Sequence, residues 1–137
     1  MTHKLKDEWR MFFCSMPERT SNFEGELKEL GSFSTVEDFW SYFEAASSPS
    51  KLSNCSSYHI FKSSVRPVWE CEQNKSGGAY HIFCTTPKER KVSDKLWESI
   101  CLLLIGGSHT DNVNGVVFAK RKKADRISLW TRLLSLI

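Results

Sequence analysis

GVVFAKRKKADRISLW, residues 115 to 130, decides the fold. Gly115 to Lys122 reads as a β-branched, apolar strand that turns basic at its end. Ala124-Asp125 is a turn, and Arg126 to Thr131 resumes as a second strand. Two strands joined by so short a connection pair antiparallel. Side-chain alternation on an extended strand puts Arg121 and Lys123 on one face, with Arg126 able to join them across the turn.

Working outward, the same grammar recurs. Trp9 to Cys14 (WRMFFC) is apolar enough for a buried strand, and Phe23 to Leu30 alternates as a strand at a sheet edge. Ser34-Thr35-Val36-Glu37 fits a capping box, with Ser34 accepting from the Glu37 amide, and predicts a helix from Thr35 to Ala46. Val36, Phe39, Trp40 and Phe43 fall on one side of it. Ser47 to Ser57 is a Ser-rich loop and Tyr58 to Lys62 a short strand. RPVWECEQNKSGGAYHIF, residues 66 to 83, then carries a loop Trp beside a Glu, Trp69-Glu70. Gly77-Gly78 in that stretch suits a hairpin turn with positive φ, before a strand from Ala79 to Thr85. Ser93 or Asp94 caps a second helix, which Gly106-Gly107 stops after Ile105. Six strands and two helices, linked mostly by short hairpins, predict an α+β domain: an antiparallel sheet with both helices packed on one face.

The 137 residues suit a single domain, 1–137, and 40% hydrophobic with 12% aromatic content supplies a modest core. The longest apolar run, Ile100 to Ile105, is too short to span a bilayer, so no membrane partner is expected. The N-terminal MTHKLKDEW lacks the apolar stretch of a secretory signal. Five cysteines without a CxxC pair read as reduced thiols, which places the chain in the cytoplasm, with the nucleus as a second compartment. His81 and Cys84 are three apart on a strand and point to opposite faces, which argues against zinc, and no cofactor is implied.

Catalysis has little to stand on. There is no GxSxG, HExxH, P-loop or GxGxxG, and none of the four histidines has a motif neighbour, so the chain is read as a non-enzyme. Binding is better supported. Arg121, Lys123 and Arg126 converge on one turn and suit a polyphosphate. Trp69 offers a flat face to a purine, best to a cationic one. Glu70 beside it can accept from the N1–H and amino edge of guanine. Spacing alone leaves three alternatives open: Trp69 in the core, Glu70 as a solvated carboxylate, and the basic run as an exposed strand end.

Four blocks narrow these alternatives. SFSTVEDFW, YHIFKSSVRPVWECEQNKSGGAY, LWESICLLLIGG and GVVFAKRKKADRISLW resemble, in order and spacing, the eukaryotic translation initiation factor 4E family, from about His3 to Trp130. The resemblance implies an mRNA cap-binding fold, a curved antiparallel sheet of about six strands with the two helices on its convex face. Its 7-methylguanosine lies between two aromatic rings, at positions matched by Phe23 and Trp69. Glu70 matches the carboxylate that reads the guanine edge, and Arg121, Lys123 and Arg126 match the triphosphate contacts. Trp130 matches the Trp lining the methyl pocket. On the back of the domain, His3, Val36, Glu37, Trp40 and Leu102 match a surface for partner helices of the Tyr-x4-Leu-hydrophobic type. Such helices are carried by 4G-like scaffold factors and 4E-binding proteins. The implied role is in translation initiation or its regulation, and the alternative is an interaction-only form that holds partners without stable cap binding.

Departures from the family pattern are as informative. Phe23 stands where the family commonly has Trp, seventeen residues before Trp40, so a weaker cationic stack is expected. Phe12 and Tyr80 also replace tryptophans, and Ala79 replaces a residue that is often basic. The family pattern continues past the Trp130 strand with a helix and two more strands, whereas this sequence ends seven residues after Trp130. An exposed sheet edge and uncovered apolar surface are therefore expected.

Overall fold

The computed structural model describes residues 2–15, 27–65, 67, 77–107 and 111–132. Its six strands are β1 (Lys4–Ser15), β2 (Leu27–Thr35), β3 (Ser56–Lys62), β4 (Ala79–Cys84), β5 (Val113–Lys120) and β6 (Asp125–Thr131). The helices are α1 (Val36–Ala45), α2 (Pro87–Lys91) and α3 (Ser93–Gly106), with a 3-10 turn at Pro49–Lys51. The strands form one curved sheet in the order β2-β1-β3-β5-β6-β4, and every neighbouring pair is antiparallel. The α+β class expected from sequence is the class observed.

Alternation along the strands separates the two faces. Trp9 and Met11 of β1, Tyr58 and Ile60 of β3, Val116 and Phe118 of β5, and Ile127 of β6 pack with Phe39 of α1 and with Trp97, Cys101 and Leu104 of α3. Phe39 is 1% exposed; burying a ring of that size stabilises by roughly 1.5–3 kcal/mol. Out-of-phase residues, Phe61 of β3 and Val117 of β5, form a second cluster on the other face with Val65, and Trp130 packs against it. Helices α1 and α3 thus cover one face of the sheet, and a separate apolar cluster lies on the other.

Several local expectations are corrected. β2 runs on through Thr35, so the cap of α1 moves by one residue: Thr35, not Ser34, accepts from the backbone N–H of Asp38 at 3.1 Å. Glu37 is then too early in the helix to fold back on its cap. Neither Ser93 nor Asp94 caps α3; Val92 is its N-cap and offers no side chain for the purpose. A third helix, α2, was not expected, although Thr86-Pro87-Lys88-Glu89 spells a capping box with Pro at N1, and both halves of that box form. Hairpins do not dominate: only β1–β2 and β5–β6 join neighbours in the sheet. β5 ends at Lys120, so Arg121 and Lys123 lie in the turn and not on a strand face. Among the described residues no glycine has a positive φ. Gly77 is required for another reason, since a Cβ there would sit 1.6 Å from the Thr131 carbonyl oxygen.

Candidate functional site

The β5–β6 turn is fastened from beneath. Its backbone closes with Arg121 N–H donating to the Ala124 carbonyl at 3.0 Å, and Cys55 N–H donates to the Lys120 carbonyl at 2.8 Å. Arg90 of α2 donates to the Lys122 carbonyl at 3.1 Å, to the Arg121 carbonyl at 3.0 Å and to Asp125 Oδ1 at 3.1 Å. Asp125 is fully buried and also pairs with Lys120 at 3.3 Å. A planar guanidinium suits this work, because its fork of donors can satisfy several acceptors at once. Arg121, Lys122 and Lys123 are left exposed at the tip.

Arg126 follows on β6, half-buried, and its buried Nε has no hydrogen-bond partner among the described residues. Burial, then the neighbouring charge of Arg121, lowers its pKa. Alternation puts Arg126, Ser128 and Trp130 on the face opposite Ile127, which packs under the helices. Trp130 lies four positions along the strand from Arg126, about 13 Å at the usual rise.

The floor of that face is built across the sheet. Phe61, Gly115, Trp130 and Ala79 are register partners in one row, and His59, Val117, Ser128 and His81 in the next. His59 is 3% exposed, with Nε2 at 2.9 Å from Ser57 Oγ. Burial first, and Arg121 second, push its pKa down to about 3, so it is neutral at ordinary pH. His81 Nδ1 and Ser128 Oγ approach to 2.6 Å, and partial burial followed by Arg126 lowers the His81 pKa. The floor therefore pairs an apolar row, Phe61 to Ala79, with a row carrying two histidines and a serine, and the cations gather at the β5–β6 end.

The start of α1 forms a second constellation. His3 donates its backbone N–H to Glu37 Oε1 at 2.7 Å, its ring Nδ1 lies 2.6 Å from Glu37 Oε2, and Val36 N–H donates to the His3 carbonyl at 2.9 Å. These contacts, the backbone one foremost, hold the Glu37 carboxyl down at about 2. Trp40 is half-buried, stacks edge-on with Phe43 at 5.7 Å, and lines a cavity of about 520 Å³ together with Tyr58, Trp97 and Glu98. Leu102, 37% exposed, stands one helical turn beyond Glu98.

The structure thus brings Arg121, Lys123, Arg126 and Trp130 to one hairpin, and His3, Val36 and Glu37 to one helix start. Phe23, Trp69 and Glu70 lie outside the described residues. Sequence reading missed Arg90, Asp125 and Lys120, which hold the basic turn. The capping box at Thr86 was the available signal for α2, but the pairing of Arg90 with residues more than 30 positions away has no local signature. Among the described residues no helix is long and apolar enough to cross a membrane.

A sequence profile described as Eukaryotic initiation factor 4E matches residues 4–135. Eukaryotic translation initiation factor 4E1 of Drosophila melanogaster is 38% identical over 132 residues, which is 94% of this chain. The chain spans 50% of that relative's length and 62% of the length of the Xenopus laevis factor 4E. Ascaris suum eIF4E-3, solved in complex with m7G cap, matches with a TM-score of 0.90 at 34% identity, covering 98% of this chain and 76% of that one. C. elegans eIF4E-3, solved with the 4E-binding protein Mextli, matches with a TM-score of 0.90 at 29% identity, covering 98% and 78%.

Proposed function

The chain belongs to the eukaryotic initiation factor 4E family, and from that premise we propose that it is a non-enzymatic receptor for the 7-methylguanosine 5′ cap of mRNA, acting in translation initiation or its regulation in the cytoplasm, with the nucleus as a second compartment. The observation that carries the reading is the β5–β6 hairpin. Exposed Arg121 and Lys123 and half-buried Arg126, whose Nε has no partner among the described residues, stand at one end, and Trp130 lies about 13 Å along the same strand face from Arg126. That is the length scale of an extended nucleotide, with anion-binding groups at one end and an aromatic wall at the other. In this reading Phe23 and Trp69 sandwich the methylated base, whose positive charge strengthens stacking, and Glu70 accepts from the guanine edge. The cations take the phosphate chain through charge-assisted hydrogen bonds. Similar proteins solved with m7G cap and with m2,2,7G cap support this assignment of ligand.

Titration with 7-methyl-GTP should quench tryptophan fluorescence, and Trp69→Ala should remove most of the effect. A folded wild-type chain whose emission ignores 7-methyl-GTP would sink the reading.

The surface around Trp40 favours a second reading, in which the helix side of the domain receives a partner helix of the Tyr-x4-Leu-hydrophobic type. A half-buried Trp on the wall of a 520 Å³ cavity offers the apolar seat that helix-in-groove docking uses. Scaffold factors of the 4G kind and 4E-binding proteins are the partner class, in keeping with neighbours solved with 4E-binding proteins. A peptide of that pattern should bind and Trp40→Ala should weaken it; unchanged affinity in the variant would count against this role.

A further inference from the structure

We propose that Arg90 is a positioning residue for the phosphate-binding turn, setting how tightly the chain holds the distal phosphates without touching them. The inference rests on the cap-binding reading above and deepens it. Arg90 reaches the turn from α2. Its guanidinium is spent on the carbonyls of Arg121 and Lys122 and on Asp125 Oδ1, at 3.0–3.1 Å. Those two carbonyls belong to the very peptides that carry Arg121 and lead into Lys123, so fixing them fixes where both side chains leave the backbone. Flexible cations must be ordered on binding, at an entropic cost for each long side chain; a turn already locked removes part of that cost. A carbonyl oxygen also carries partial negative charge, and two of them near a polyphosphate oppose it; here both are occupied by a cation.

The arrangement is built, not incidental. Thr86 and Glu89 cap α2 in both directions, Ser93 Oγ donates to the Arg90 carbonyl at 2.9 Å, and the Arg90 side chain is only 25% exposed. Lys120 also pairs with Asp125 at 3.3 Å, independently of Arg90, which leaves the buried carboxylate a cation in an Arg90 variant. A lysine at position 90 would preserve charge, but its single ammonium lacks the planar fork that spans two carbonyls and a carboxylate.

The test compares the affinity of the full 137-residue chain for 7-methyl-GMP and 7-methyl-GTP, in wild type, Arg90→Gln, Arg90→Lys and Lys91→Gln. The ratio of the two affinities is taken within each protein sample, so any change in the folded fraction cancels. Arg90→Gln and Arg90→Lys should each cut the advantage of the triphosphate about tenfold, while monophosphate binding changes less than about twofold. Lys91→Gln, which removes the neighbouring exposed charge, should leave the ratio unchanged. An unaltered ratio in both Arg90 variants overturns the inference while leaving cap binding intact. Equal losses for both ligands overturn it too, as the mark of a purely structural role. An equal fall in the ratio for Lys91→Gln would assign the effect to long-range charge and likewise overturn it. A wild-type chain that binds neither nucleotide removes the cap reading itself.

Discussion

The rings of Phe61 and Trp130 meet edge to face at 5.2 Å and 89° across the open side of the sheet. Gly115 lies between them in register, the partner of Phe61 on one side and of Trp130 on the other. A Cβ at position 115 would fall 2.3 Å from the Phe61 ring, so only glycine lets that ring lie over the middle strand. Because Phe61 is fully buried, it has no room to retreat. Gly115→Ala should therefore destabilise the fold by about 1–3 kcal/mol, read as a lower denaturant midpoint, and shift Trp130 emission. A variant as stable as wild type, with unchanged emission, would show that the contact constrains nothing.

On the proposed reading Phe23 is one half of the aromatic sandwich. Its ring attracts a methylated guanine less strongly than an indole does. Phe23→Trp should tighten 7-methyl-GTP binding by about 0.5–1 kcal/mol, with a smaller gain for unmethylated GTP. Equal gains for the two nucleotides would remove the cation from the explanation.

His59 links the floor to acid stability. Its folded pKa of about 3 lies below its ordinary 6.5, so protonation favours the unfolded chain. Stability that is fully present above pH 6.5 is lost as pH falls toward 3. The limiting slope is about 1.4 kcal/mol per pH unit. Denaturation midpoints between pH 7 and 4 should fall more steeply for wild type than for His59→Asn. Parallel pH profiles would mean that the ring protonates without penalty.

Glu37 works in a different window. Its folded pKa of about 2 lies below the ordinary 4.5, so the stability it adds is present above pH 4.5 and lost as pH drops through 2. Carboxyl carbon-13 titration should place Glu37 among the most acidic groups of the chain. His3→Ala should raise it only partway, because the His3 backbone N–H, the larger cause, survives the substitution. A Glu37 that titrates near 4.5 in wild type would break the link between the N-terminal strand and α1.

Much of the fold was legible because alternation and helical spacing are local. Tyr58 and Ile60 face the helices, and Val116-Val117-Phe118 alternates between two clusters, as period-2 strands require. Errors came where two local signals overlapped. Ser34-x-x-Glu37 and Thr35-x-x-Asp38 both spell a cap, and the pairing of β2 with β1 through Lys4 and Thr35 extends the strand far enough that the second is used. For the same kind of reason the basic run was read as strand to Lys122. Nothing in KRKK says where the ladder with β6 stops, and the pairing of Lys120 with Asp125 ends it there.

By itself the sequence determined the α+β class, the hairpin carrying Arg121, Lys123, Arg126 and Trp130, and the family to which the chain belongs. Each of these is written in patterns a few residues long or in short blocks kept in order. Tertiary structure alone decided that Arg90 locks the basic turn, that His3 and Glu37 grip each other, and that Gly115 seats Phe61 against Trp130. Those contacts join residues 15 to 69 positions apart, and no local preference encodes them. They exist because burying the two faces of one sheet brings distant side chains within hydrogen-bonding and van der Waals reach.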